Sequence, residues 1–180
     1  FISHFHRTNF SLSMHIDESI FETNSLIKDK KPTLIEYCAF YGSIQIFNFL
    51  RMNNIDLEPT LWIYSIHSNN AEIIHILESN LVEPIDDTYE ECLCEAIKCH
   101  HNEFVRYIKD NKYTPKPTPN LIIKEQLSFE ERVISCCFKY YNYKNFPMRF
   151  NQKFIFYYLS KYDYMKIVKI FIKHKMIEIN

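Results

Sequence analysis

The chain has 180 residues, a formal net charge of −1, 47% hydrophobic residues and one glycine. That suffices for one domain with a sizeable core, and it is too little glycine for a phosphate-cradling loop or a β-rich fold. No apolar run approaches the ~18 residues of a membrane helix, and residues 1–31 hold no signal-peptide core, so no membrane span is expected and the chain reads as cytoplasmic.

Residues 1–31 read as an irregular capping segment. Asp17 through Ile27 can form a short helix with Ile16, Ile20 and Phe21 turned inward, while His4, His6 and His15 are too scattered for a metal site. Residues 32–180 read as repeats, with units at about 32–58, 59–83 and 87–111, an irregular stretch at 112–150, and a last unit at 151–180. The first two units both open Pro-Thr-Leu, at Pro32 and Pro59. Thr33 and Glu36 have the spacing of a capping box, and Pro32 blocks helix on its N-terminal side. Gly42, the only glycine, stands where that helix must stop in the left-handed conformation. Ser43 can cap a second helix, on which Ile46, Phe47, Phe49 and Leu50 fall at helical spacing.

Anchoring on the residue three before the break aligns Ala39, Ile66, Ile97 and Ser160, with breaks at Gly42, Asn69, His100 and Asp163. Gly, Asn, His and Asp tolerate positive φ best. Seven after the anchor come Ile46, Ile73, Phe104 and Ile167, expected on the inward face of each second helix. Thr88 and Glu91 repeat the capping-box spacing. Residues 112–120 carry three prolines and read as a loop. Ser128 to Glu131 opens a helix of roughly 128–142, with Val133, Ile134, Cys137 and Tyr141 on one side and no second helix visible in 144–150. The expected fold is all-α, a solenoid of antiparallel helix pairs whose faces are covered by neighbouring pairs.

The pattern resembles the ankyrin repeat. Thr33-Leu34 stands near that family's first-helix start, Cys38-Ala39 at its small pair and Gly42 at its turn. Gln45-Ile46-Phe47 and Lys166-Ile167-Val168 stand at its second helix, and Asn54 to Glu58 and Ile177 to Asn180 at its tail. The first step, 27 residues, is shorter than the family's period of about 33, so the hairpin fingers are expected to be short or absent. Over roughly 25–180 the chain is similar to the diverged ankyrin-like domain of unknown function that precedes ankyrin repeats in large protist proteins. The resemblance implies a repeat scaffold. The tail-like end and the start at Phe1 suggest a fragment with further ankyrin repeats C-terminal to it.

Charge is uneven. Residues 1–100 hold 6 basic and 15 acidic residues, and residues 101–180 hold 15 and 7. Separate solvated faces account for this, and so does a dipolar module with different partners at its ends. No cofactor or metal is expected. The six cysteines lack a C-x₂-C pair, and Cys92, Cys94, Cys99, His100 and His101 read as core thiols and a turn. No nucleophile or metal constellation points to an enzyme. The expected function is a protein–protein interaction scaffold. Partner contacts would fall on the residues before the breaks: Phe40, Tyr41, His67, Ser68, Lys98, Cys99, Lys161 and Tyr162. Polyanion or nucleic-acid binding through Lys153, Lys161, Lys166, Lys169 and Lys173 is the less favoured alternative. A third is a structural cap for further repeats.

Overall fold

A computed structural model describes residues 3, 7, 8, 10–113, 129–146 and 152–173. His4, His6, the proline loop beyond residue 113, the Ser128 cap, Pro147 and the 177–180 tail lie outside these. The described residues are all-α. The one isolated bridge, antiparallel, joins His15 to Thr33. Two compact units divide the chain, Phe1–Asp87 and Thr88–Asn180.

The first unit contains α1 (Ser25–Lys28), α2 (Leu34–Phe40), α3 (Ile44–Met52), α4 (Leu61–Ser68) and α5 (Ala71–Ser79). The helix expected over Asp17–Ile27 does not form. The Ile16 N–H donates to the Pro32 carbonyl at 2.8 Å and the Leu34 N–H to the Met14 carbonyl at 2.9 Å, so the backbone around His15 is extended. Asn24 then caps a single turn, and Leu26 and Ile27 are buried in place of Ile20 and Phe21, which are 92% and 88% exposed.

Thr33 and Glu36 form the expected capping box at the start of α2. Glu36 does more: its second carboxylate oxygen accepts from the Thr60 hydroxyl, so one side chain ties the starts of α2 and α4. These two helices pack side by side, and α3 and α5 each pack on the first helix of their own pair. Asn53 to Thr60, between α3 and α4, contains no strand. Trp62, Phe47, Leu50, Leu61, Ile66, Ile73 and Leu77 are fully buried.

The second unit contains α6 (Glu90–Lys98), α7 (Asn102–Asn111), α8 (Phe129–Lys139), a 3₁₀ turn at Tyr143–Asn145, α9 (Gln152–Lys161) and α10 (Met165–Lys173). α6 packs on α7 and α8, and α9 on α8 and α10. So α8 lies between two first helices, and the 3₁₀ turn, which touches α7 and α8, stands where a second helix would be. A core of Ile134, Phe138, Ile155, Tyr158, Leu159 and Val168 fills the α8–α10 end.

Gly42, Asn69, His100 and Asp163 all have φ between 52° and 65°. Tyr141, at φ 57°, is a further break of the same kind. After Gly42, His100, Tyr141 and Asp163 the following N–H bonds back to the carbonyl five residues earlier, satisfying the helix end. Ala39, Ile66 and Ile97 are fully buried as anchors, and Phe138 is the anchor before Tyr141. Ser160 is exposed, unlike the other anchors. Of the inward residues expected on the second helices, Ile73 and Phe104 are buried, but the position buried in every one lies one residue later. Ile46 is half-buried and Ile167 exposed, whereas Phe47, Ile74, Val105 and Val168 are buried in all four. Ser43 occupies the N-cap of α3 without a capping bond from its hydroxyl.

Candidate interaction surface

The eight residues before the breaks take different environments. Phe40 is 6% exposed, its ring stacked on His67 at 4.1 Å, so it is a packing residue and not the contact residue expected. His67 is half-buried against it and approaches the Asn24 amide at 3.5 Å. The Ser68 hydroxyl turns back to the Ser65 carbonyl at 2.9 Å. Tyr41 is 52% exposed and donates its hydroxyl to Glu22 at 2.6 Å. That bond holds the Glu22 carboxyl below its ordinary range and pushes the Tyr41 phenol up.

In the second unit Lys98 pairs with Glu95 at 3.1 Å, an i,i+3 pair on α6. The Cys99 thiol lies 3.6 Å from the same carboxylate, and burial pushes it up to about 12. Lys161 is exposed, and its ammonium lies 5.6–5.8 Å from the ring centres of Tyr157, Tyr158 and Tyr162. Tyr162 stacks over Tyr158 and its hydroxyl bonds that of Ser135 at 3.3 Å.

Residues around the last two breaks extend this surface. Tyr141 is 66% exposed, and Tyr143 and Tyr157 are exposed too. Tyr164 organises the first two. Its hydroxyl donates to the Phe138 carbonyl at 2.9 Å and bonds the hydroxyl of Tyr143, and its ring lies 5.9 Å from that of Tyr141. Burial, then the Tyr143 hydroxyl, pushes the Tyr164 phenol up, so it stays a neutral donor. Lys139 lies over Tyr140 at 5.1 Å, a contact that shifts its titration upward. Exposed tyrosines beside cations, on turns fixed by a buried core, are side chains suited to recognition.

Sequence reading missed Tyr141, Tyr143 and Tyr157. A signal was present: Tyr141-Asn142 matches Asn69-Asn70, a break followed by asparagine. Tyrosine is an unusual residue for positive φ, which hid the match.

The thiols differ among themselves. Burial pushes Cys38 up to about 11 and Cys137 up to about 12. Cys94 faces Cys136, Cys99 faces Glu95, and the His100 Nε2 faces the Tyr140 carbonyl at 3.0 Å, so these three point to different neighbours. Among the described residues no helix is long and apolar enough to cross a membrane. No family model, no curated protein and no solved structure matches this chain.

Proposed function

We propose that the chain is an ankyrin-like, non-catalytic scaffold that binds a protein partner through side chains at the helix–helix turns. The observation that carries this is the recurrence of one backbone device with changing side chains. Gly42, Asn69, His100, Tyr141 and Asp163 adopt the same left-handed turn, while Tyr41, Ser68, Cys99, Tyr140 and Tyr162 precede them. Variable side chains on a constant frame suit recognition of an irregular surface better than one fixed reaction geometry. In the second unit Tyr141 and Tyr157 supply a residue type that is enriched among interface hot spots.

A photo-reactive cross-linker at position 141 tests this, with position 52, an exposed methionine on α3, as control. A discrete partner trapped from 141 and not from 52 supports the reading. Equal trapping from both, or none, overturns it. The second reading, polyanion binding, has its own observation: Lys139, Lys144, Lys153, Lys161, Lys166, Lys169 and Lys173 are all exposed. Binding that falls steeply with salt favours it; binding indifferent to salt favours the scaffold.

A further inference from the structure

The α6–α8 contact is built as a ladder. Glu90 and Cys94 are one turn apart on α6, and Arg132 and Cys136 one turn apart on α8. The Arg132 guanidinium pairs with the Glu90 carboxylate at one rung. At the next rung the sulfurs of Cys94 and Cys136 lie 2.7 Å apart, well inside the ordinary contact distance of two thiols. Beyond it the Asn142 amide donates to the Ile97 carbonyl at 2.9 Å. The sulfurs are therefore held together from both sides. Each cysteine is half-buried, whereas Cys92 and Cys137 are fully buried.

We propose that Cys94 and Cys136 are a redox-sensitive pair that closes to an intramolecular disulfide when met by a low-molecular-weight disulfide. Cys136 is the attacking sulfur. The Cys94 thiol, then Lys139, favour its thiolate, and the proton is kept on Cys94. The Cys136 thiolate attacks one sulfur of the reagent and expels the other as a thiolate. The Cys94 sulfur, losing its proton, attacks Cys136 in that mixed disulfide and expels the second reagent thiol. One disulfide is reduced by two electrons, two protein thiols are oxidised, and both protons leave on the released thiols. The bridge closes the loop from Cys94 to Cys136 across the proline-rich 112–120 stretch, and a loop of that length restricts the unfolded chain more than a short one would.

The test uses the full chain and oxidised glutathione. After exposure, alkylation under denaturing conditions and peptide mapping should show Cys38, Cys92, Cys99 and Cys137 alkylated. A Cys94–Cys136 cross-linked peptide should appear within single chains, and the melting temperature should rise by roughly 5–10 °C. Cys94→Ser should accumulate a lasting glutathione adduct on Cys136, with its far-UV circular dichroism checked against the parent. The mapping of the unsubstituted chain stands independently of whether that variant folds. Six alkylatable thiols, a persistent adduct on the unsubstituted chain, or a bridge between any other pair would overturn the proposal.

Discussion

Two layers of first helices, α2 on α4 in the first unit and α6 on α8 in the second, are fastened at the same levels by different chemistry. At the helix starts the first unit uses one carboxylate, Glu36, shared by Thr33 and Thr60. The second uses an ion pair, Glu90 with Arg132. At the helix ends both use an asparagine that follows a left-handed residue. Asn70 caps α5 with its oxygen and donates its amide to the Gly42 carbonyl at 3.2 Å. Asn142 donates to Ile97 and is buried. The difference teaches that turn conformation and inter-helix fastening are separable: the backbone device recurs while its side chains are replaced.

The comparison breaks most severely at Phe138, the anchor that has no equal in size in the first unit. Phe138→Ala should destabilise the second unit by about 3–5 kcal/mol, because its ring packs on Tyr158, Tyr164 and Phe146. Urea unfolding followed by circular dichroism checks it.

Next come the two asparagines. Asn142→Ala should cost about 2 kcal/mol, since it removes a buried side-chain bond to α6 and leaves a small void, although the Ile97 carbonyl keeps the His100 N–H. Asn70→Ala should cost about 1 kcal/mol, because water can replace part of its cap. Equal shifts in urea midpoint would show that burial does not separate the two.

The breaks themselves should respond asymmetrically. Gly42→Ala should cost about 1–2 kcal/mol, because φ is 65° and the new methyl meets the Asn70 amide at 3.4 Å. Tyr141→Gly should change stability by less than about 0.5 kcal/mol, relief of strain offsetting a more flexible unfolded chain. Thermal unfolding of the two variants compares them directly.

The smallest effect is electrostatic and belongs to the first unit. Glu22 is depressed in the folded state, first by the Tyr41 hydroxyl and then by the Asn24 N–H. Its contribution is therefore present above the ordinary carboxylate range and is lost as pH falls through its folded value. Tyr41→Phe should move the Glu22 titration upward when followed by NMR. An unmoved titration would remove the hydroxyl as the cause.

Much of the fold was legible where the turn residue was chemically suited to its conformation. Gly42, Asn69, His100 and Asp163 announced their breaks; Tyr141 did not, because nothing in a tyrosine favours φ of 57°. The Thr33–Glu36 box was readable because both partners are local. The sharing of Glu36 with Thr60 was not, since it depends on how two helices lie side by side. The Asp17–Ile27 helix failed for a related reason: pairing of residues 14–16 with 32–34 overrode local propensity. Of the residues before the breaks, Tyr41 and Lys161 are exposed, as their position led one to expect. Phe40 was misplaced because spacing alone cannot tell a ring stacked inward on His67 from one facing out. The Cys94–Cys136 approach required the 42-residue offset between α6 and α8, which the irregular stretch conceals.

The single tryptophan of the chain has a practical use. Trp62 is fully buried, and its indole N–H donates to the Val82 carbonyl at 2.7 Å, with both residues inside the first unit. Excitation at the red edge of the absorption band, where tyrosine does not absorb, therefore yields emission from one known place. Ten of the 13 tyrosines lie after residue 87, so near-ultraviolet dichroism is weighted toward the other unit. One sample and two optical channels can then follow the two halves of the molecule separately as they melt, without a label or a truncation.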